Sequence, residues 1–109
     1  MNVNASLIVT IVRKGWGSSV LQASVKAGAR GGTVLLGRGA GVHEHEKIFG
    51  MSIEPEKEIV LTIVQSDQVE AILGEIVRAA ELDAAGHGMA FVVPVHEIVG
   101  VADSMLLGA

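Results

Sequence analysis

The sequence predicts an α+β fold of ferredoxin-like topology, β-α-β-β-α-β, with a four-stranded antiparallel sheet carrying two helices on one face. Three observations predict it. Four short runs rich in Val, Ile and Leu alternate in that order with two amphipathic segments. Two of the runs are near copies: Leu7–Val12, "LIVTIV", resembles Ile59–Val64, "IVLTIV". Each copy is followed by a helical pattern and then a strand, so the chain reads as two βαβ halves. Two right-handed crossovers then place both helices on the same side of the sheet.

The elements follow in order. Ser6–Val12 is short and β-branched, as a strand requires, and "RKGWGSS" breaks it. Ser18 or Ser19 can cap a helix running to about Ala27, with Val20, Leu21, Ser24 and Val25 on one face, and Gly28 ends it. Thr33–Arg38 is the second strand and Glu58–Val64 the third. Asp67 is the candidate N-cap of the second helix, with Glu70 completing a capping box. Val69, Ile72, Leu73, Ile76, Val77 and Ala80 form its apolar stripe. Met89–Val95 is the fourth strand; Pro94 cannot donate to a ladder, which puts the end of this strand at a sheet edge or a bulge.

The strands carry a second message. In the first, Leu7, Val9 and Ile11 oppose Ile8, Thr10 and Val12; the third and fourth are likewise apolar on both faces. One face meets the helices. The other would leave an apolar patch too large for a soluble monomer, and the tail from Ala102 is small for covering it. The sequence therefore predicts an oligomer with its sheets facing inward.

The chain of 109 residues is half hydrophobic but only 3% aromatic, so the core is built from Val, Ile, Leu and Ala in one domain spanning residues 1–109. The formal net charge of −4, unclustered Lys and Arg and scarce aromatics argue against a nucleic-acid binder. The chain has no cysteine, which excludes disulfides and thiolate metal sites. No apolar run approaches the roughly 18 residues of a membrane span, so direct membrane insertion is not expected. The start lacks a basic region before its apolar run and does not read as a signal peptide; a cytoplasmic location is expected.

Between the second and third strands lies a long polar insert. Loops of that length are usually functional or disordered. Gly37-Arg38-Gly39 at its start and Gly86-His87-Gly88 before the fourth strand can each form a backbone nest for phosphate, although glycines serve equally as turn residues. "HEHEK", His43–Lys47, places His43 and His45 on one side of an extended segment, a spacing that suits zinc or copper. Glu54, His87 or a second subunit would have to supply a third ligand; the competing reading is a solvated, charged loop. Ile48, Phe49 and Met51 are the apolar residues of the insert and the candidates for a partner-facing tip, with Ala40–Glu54 expected to be mobile and to order on binding. The serines show no Ser-His-Asp pattern, and no enzymatic activity is expected. Trp16, between two glycines, reads as a structural anchor.

These pieces together resemble the P-II nitrogen-regulatory signalling proteins. The resemblance rests on "GARGGTVLLGRGAG", on "EKEIVLTIVQSDQVEAILGEIVRAAELDAAGHGMAFVVPV" and on the closing "HEIVGV", and covers about residues 5–101. It implies a homotrimer that binds ATP or ADP in clefts between subunits. The insert, about residues 39–57, would be the T-loop that touches a regulated partner, a membrane transporter or a cytoplasmic enzyme. The glycine loop, about residues 81–88, would be the B-loop.

Carried over residue by residue, the resemblance puts Gly31, Gly32 and Thr33 against an adenine. Gly39 matches the glycine at the T-loop base, Lys57 the phosphate-binding lysine, and Gly86, His87 and Gly88 the B-loop. Here a histidine replaces the family's B-loop aspartate and Met89 its following lysine, while Gly100 and Val101 stand where the C-terminal arginines are expected. Arg38 and Arg30 are candidate substitutes. The T-loop is shorter, and its modified tyrosine is absent because the chain has no tyrosine. The lost cations favour ADP or AMP over ATP, since each further phosphate needs compensation. No obligatory metal is implied. The expected function is thus a divergent P-II-like regulator with an adenine nucleotide as ligand. The alternatives are a metal-responsive ferredoxin-like trimer using the His43–Glu46 loop and a purely structural oligomer.

Overall fold

A computed structural model describes residues 2–41, 47–48, 51–52 and 54–100. Its elements are β1 (Asn2–Arg13), α1 (Gly17–Lys26), β2 (Thr33–Arg38), β3 (Lys47–Ile48), β4 (Met51–Ser52), β5 (Glu56–Gln65), a 3₁₀ turn (Ser66–Gln68), α2 (Val69–Ala80) and β6 (Gly88–Glu97). The main sheet has the order β2-β5-β1-β6 and is antiparallel throughout. The two halves of the repeat interlock at its centre, with Val9 opposite Leu61, and each helix crosses over the strand inserted between its own two strands. This is the ferredoxin-like α+β architecture that the sequence predicts.

The helices cover one face of the sheet. Ile8, Val12, Val60 and Val64 meet Val20, Ile72, Ile76 and Ala80 there, all buried. Trp16 and Leu73 pack against this core from its margin, as an anchoring Trp16 requires. The opposite face carries no helix. Ile11, Ile59 and Leu61 are only partly buried on it, and Leu35, Met89 and Phe91 remain 44%, 55% and 42% exposed. β6 is an edge strand, which accommodates Pro94.

Several boundaries differ from the predicted ones. β1, β5 and β6 run beyond Ser6–Val12, Glu58–Val64 and Met89–Val95, because the register pairs flanking polar residues such as Arg13 with Lys57. Neither Ser18 nor Ser19 caps α1. Its N-cap is Trp16, and the Glu58 carboxylate from β5 accepts hydrogen bonds from the Gly15 and Gly17 N–H groups at 3.0 and 2.7 Å. A carboxylate from across the fold thus supplies what a local serine would have. Val25 stands 46% exposed instead of packing, and Ser24 turns inward with its hydroxyl donating to the Leu21 carbonyl at 2.8 Å. Asp67 does not cap α2 either: Ser66–Gln68 form the 3₁₀ turn, and α2 starts from Gln68 with no side-chain cap. Within the polar insert the backbone forms a two-stranded ladder, Lys47 opposite Ser52 and Ile48 opposite Met51, which the polar composition of the segment did not announce.

Thr10 and Thr62 hold the same position in the two copies of the repeat. Both are fully buried on the helix face, and neither hydroxyl has a hydrogen-bond partner among the described residues. A buried hydroxyl without a partner costs about 1–3 kcal/mol. Thr10→Val and Thr62→Val, which keep the shape and remove the hydroxyl, are each expected to stabilise the protein by about 1 kcal/mol in urea denaturation.

Candidate functional site

One end of the helix-free face closes into a cleft of about 440 Å³. Four stretches of the chain build it. Arg38 ends β2, and Gly39, Ala40 and Gly41 continue from it; the Gly39 N–H donates to the Pro55 carbonyl at 3.1 Å and pins the base of the insert shut. Lys57 and Ile59 come from β5 and Ile11 from β1. Gly86, Gly88 and Met89 come from the loop that follows α2 and from the start of β6. The floor is therefore apolar, and the rim carries cations and glycine backbone.

The local chain explains why these groups meet. β2 and β5 pair Gly37 with Lys57 and Arg38 with Glu56, so both ends of the insert arrive side by side. α2 ends on Glu81 in the left-handed region (φ 53°), an uncommon place for a residue other than glycine. The chain then turns twice, through the Ala84 N–H on the Glu81 carbonyl and the His87 N–H on the Ala84 carbonyl. Gly86 and Gly88 follow at φ 81° and 138°. A β-carbon on Gly88 would overlap the Ile11 carbonyl oxygen of β1. That glycine lets the loop lie directly against the sheet.

Charge is distributed unevenly around the cleft. Lys14 and Glu56 form an exposed ion pair at 2.8 Å. The Lys14 hydrogen bond, reinforced by its charge, holds the Glu56 carboxyl below the usual carboxylate range, and Glu56 raises Lys14 in return. Glu58 is turned away toward the start of α1. Neither carboxylate is among the residues that line the cleft, which suits an anion.

The family model for the nitrogen regulatory protein P-II matches residues 5–104. The chain belongs to the P-II family. Among solved structures, the P-II protein of Arabidopsis thaliana bound to citrate is similar to it, at 31% identity over 90% of this chain and 83% of that one, with a TM-score of 0.71. No curated protein sequence matches significantly. P-II proteins are regulatory proteins that typically form trimers and contact partner proteins.

Within this P-II chain the predicted site residues fall into three groups. Arg38, Gly39, Lys57, Gly86 and Gly88 line the cleft together. His87 lies between the two glycines, but its ring meets Trp16 edge-on, with centroids 5.8 Å apart. Gly31, Gly32 and Thr33 sit at the far end of β2: five residue steps of about 3.3 Å separate Thr33 from Arg38, or about 17 Å. Arg30 stands beside them at that far end and not at the cleft. His43 and His45, the candidate metal ligands, lie outside the described residues, as do Phe49 and Val101.

Sequence reasoning gave Ile11 and Arg13 no role and read Met89 only as the position of a missing lysine, not as part of a cleft floor. Ile11 and Met89 face each other across β1 and β6 in the cleft floor. Arg13, at the end of β1, reaches the glycine loop: a β-carbon on Gly86 would stand 3.1 Å from its guanidinium. The available signal was the strand order, since an antiparallel β6 beside β1 brings the end of β1 to the start of β6. Among the described residues, no helix is long and apolar enough to cross a membrane.

Proposed function

We propose that this P-II family member is a regulatory protein that binds an adenine nucleotide in clefts between the subunits of a homotrimer and acts on a partner protein through the insert. The cleft carries the reading. It joins the base of the insert to the B-loop glycines and Lys57, at the border of an uncovered apolar sheet face. Binding there would be felt at both ends of the insert, because Gly39 and Lys57 are those ends.

The apolar face supports the assembly. Three such faces turned inward would remove Leu35, Phe91 and Val93 from water. A neighbouring subunit would also bring its own Gly31–Thr33 to this chain's cleft, which reconciles that motif's distance with a role in binding. Arg38, Gly39, Lys57 and Gly86–Gly88 would hold the phosphates and Gly31–Thr33 the base. Citrate, the ligand of the plant relative, is also a small polyanion and a candidate occupant.

Calorimetric titration of the assembled protein with ADP, ATP, AMP, citrate and zinc ions tests the reading, with sedimentation equilibrium giving the assembly mass. The expected result is a species of three times the chain mass that binds ADP at least as tightly as ATP. Binding of zinc alone, or a stable monomer at micromolar concentration, would overturn it.

A further inference from the structure

We propose that Arg13 is a specificity-determining residue of the cleft, the cation that contacts the distal phosphate of the bound nucleotide; the inference rests on the nucleotide reading above. Four observations carry it. Arg13 lies directly opposite Lys57 in the β1–β5 register, so the two cations project from the same face at the same end of the sheet. Two residues back on that face, Ile11 lines the cleft floor. The guanidinium rests against Gly86, a cleft residue, in space that a β-carbon would crowd. Among the described residues Arg13 has no ion-pair partner: Lys14 engages Glu56, and the Glu58 carboxylate accepts from Gly15 and Gly17.

The consequence is a second basic wall. Lys57 and Arg38 line the cleft from the T-loop side, and Arg13 stands beside the cleft glycine Gly86, from where it would meet a bound anion on the B-loop side. Met89 gives the B-loop side no cation of its own. A guanidinium binds phosphate oxygens in pairs, and such charge-assisted contacts are strong. A phosphate farther along the chain of phosphates gains more from Arg13 than one held by Lys57 alone. Arg13 thereby sets the preference of ADP over AMP.

The test is the ratio of ADP to AMP affinity in Arg13→Met and Arg13→Lys, by calorimetry on the assembled protein. Arg13→Met is expected to lower ADP affinity about 10- to 100-fold, to lower AMP affinity less and to leave adenosine unchanged, with Arg13→Lys recovering part of the loss. Unchanged ADP affinity in Arg13→Met, or equal losses for ADP, AMP and adenosine, would overturn the assignment. If the wild-type protein binds no adenine nucleotide, the function proposed above fails, and titration with inorganic pyrophosphate decides Arg13 separately. Pyrophosphate binding that disappears in Arg13→Met supports it, and absent or unaltered binding overturns it. Thermal denaturation of each variant checks that the fold persists, as the exposed position of Arg13 leads one to expect.

Discussion

Gly88→Ala is expected to destabilise the protein by about 3 kcal/mol and to displace the B-loop from the sheet. Two costs add. A residue with a side chain at φ 138° is strained by about 1–3 kcal/mol. Its β-carbon would also overlap the Ile11 carbonyl oxygen and crowd Val12, both part of β1 and unable to swing aside as a side chain would. Overpacking of that kind adds about 1–3 kcal/mol. Urea denaturation at fixed protein concentration measures the loss, the concentration being held because assembly contributes to apparent stability. A midpoint equal to that of the wild type would mean that the loop rearranges freely and that its contact with β1 does not shape the cleft.

Lys57→Ala is expected to weaken ADP binding by about 1.5–3 kcal/mol, the range for hydrogen bonds to charged groups. Lys57 is only 7% exposed although it carries a charge, and it lines the cleft from the start of β5, where its backbone is paired with Gly37 on one side and Arg13 on the other. Little entropy is left to lose when a ligand meets a side chain held in that way. Calorimetry reads the effect directly. Unchanged ADP affinity would remove Lys57 from the site and leave the cation role to Arg38 and Arg13.

The fold could be read from the chain because its strongest signals are local. β2 runs from Thr33 to Arg38 as the sequence predicts, and the stripe Val69–Ala80 is a helix that buries Ile72 and Ile76. The paired copies Leu7–Val12 and Ile59–Val64 became the two central strands. Caps were less readable. Serine and aspartate are good N-caps in isolation, yet Glu58, forty-one positions from Gly17 in the chain, does that work for α1. No local pattern encodes a partner so distant. The same holds for the site. Arg38, Gly39, Lys57, Gly86 and Gly88 carried visible glycine and charge signals, and they do line one cleft. Arg13 and Ile11 carried none, because a strand-end arginine and a strand isoleucine look like any others until strand order sets them beside Gly86 and Met89.

The central claim is that the nucleotide site is shared between subunits, and the affinity of Thr33→Val for ADP tests it most directly. Thr33 lies about 17 Å along β2 from Arg38 at the cleft rim, and two residues from Leu35, which pairs with Ile59 of the cleft floor. If a neighbouring subunit contributes Gly31–Thr33 to the cleft, losing the threonine hydroxyl should weaken ADP binding about fivefold, the worth of one ordinary hydrogen bond, with the assembly mass unchanged. An ADP affinity identical to that of the wild type, at an unchanged mass, would contradict the account and place the whole site within a single chain.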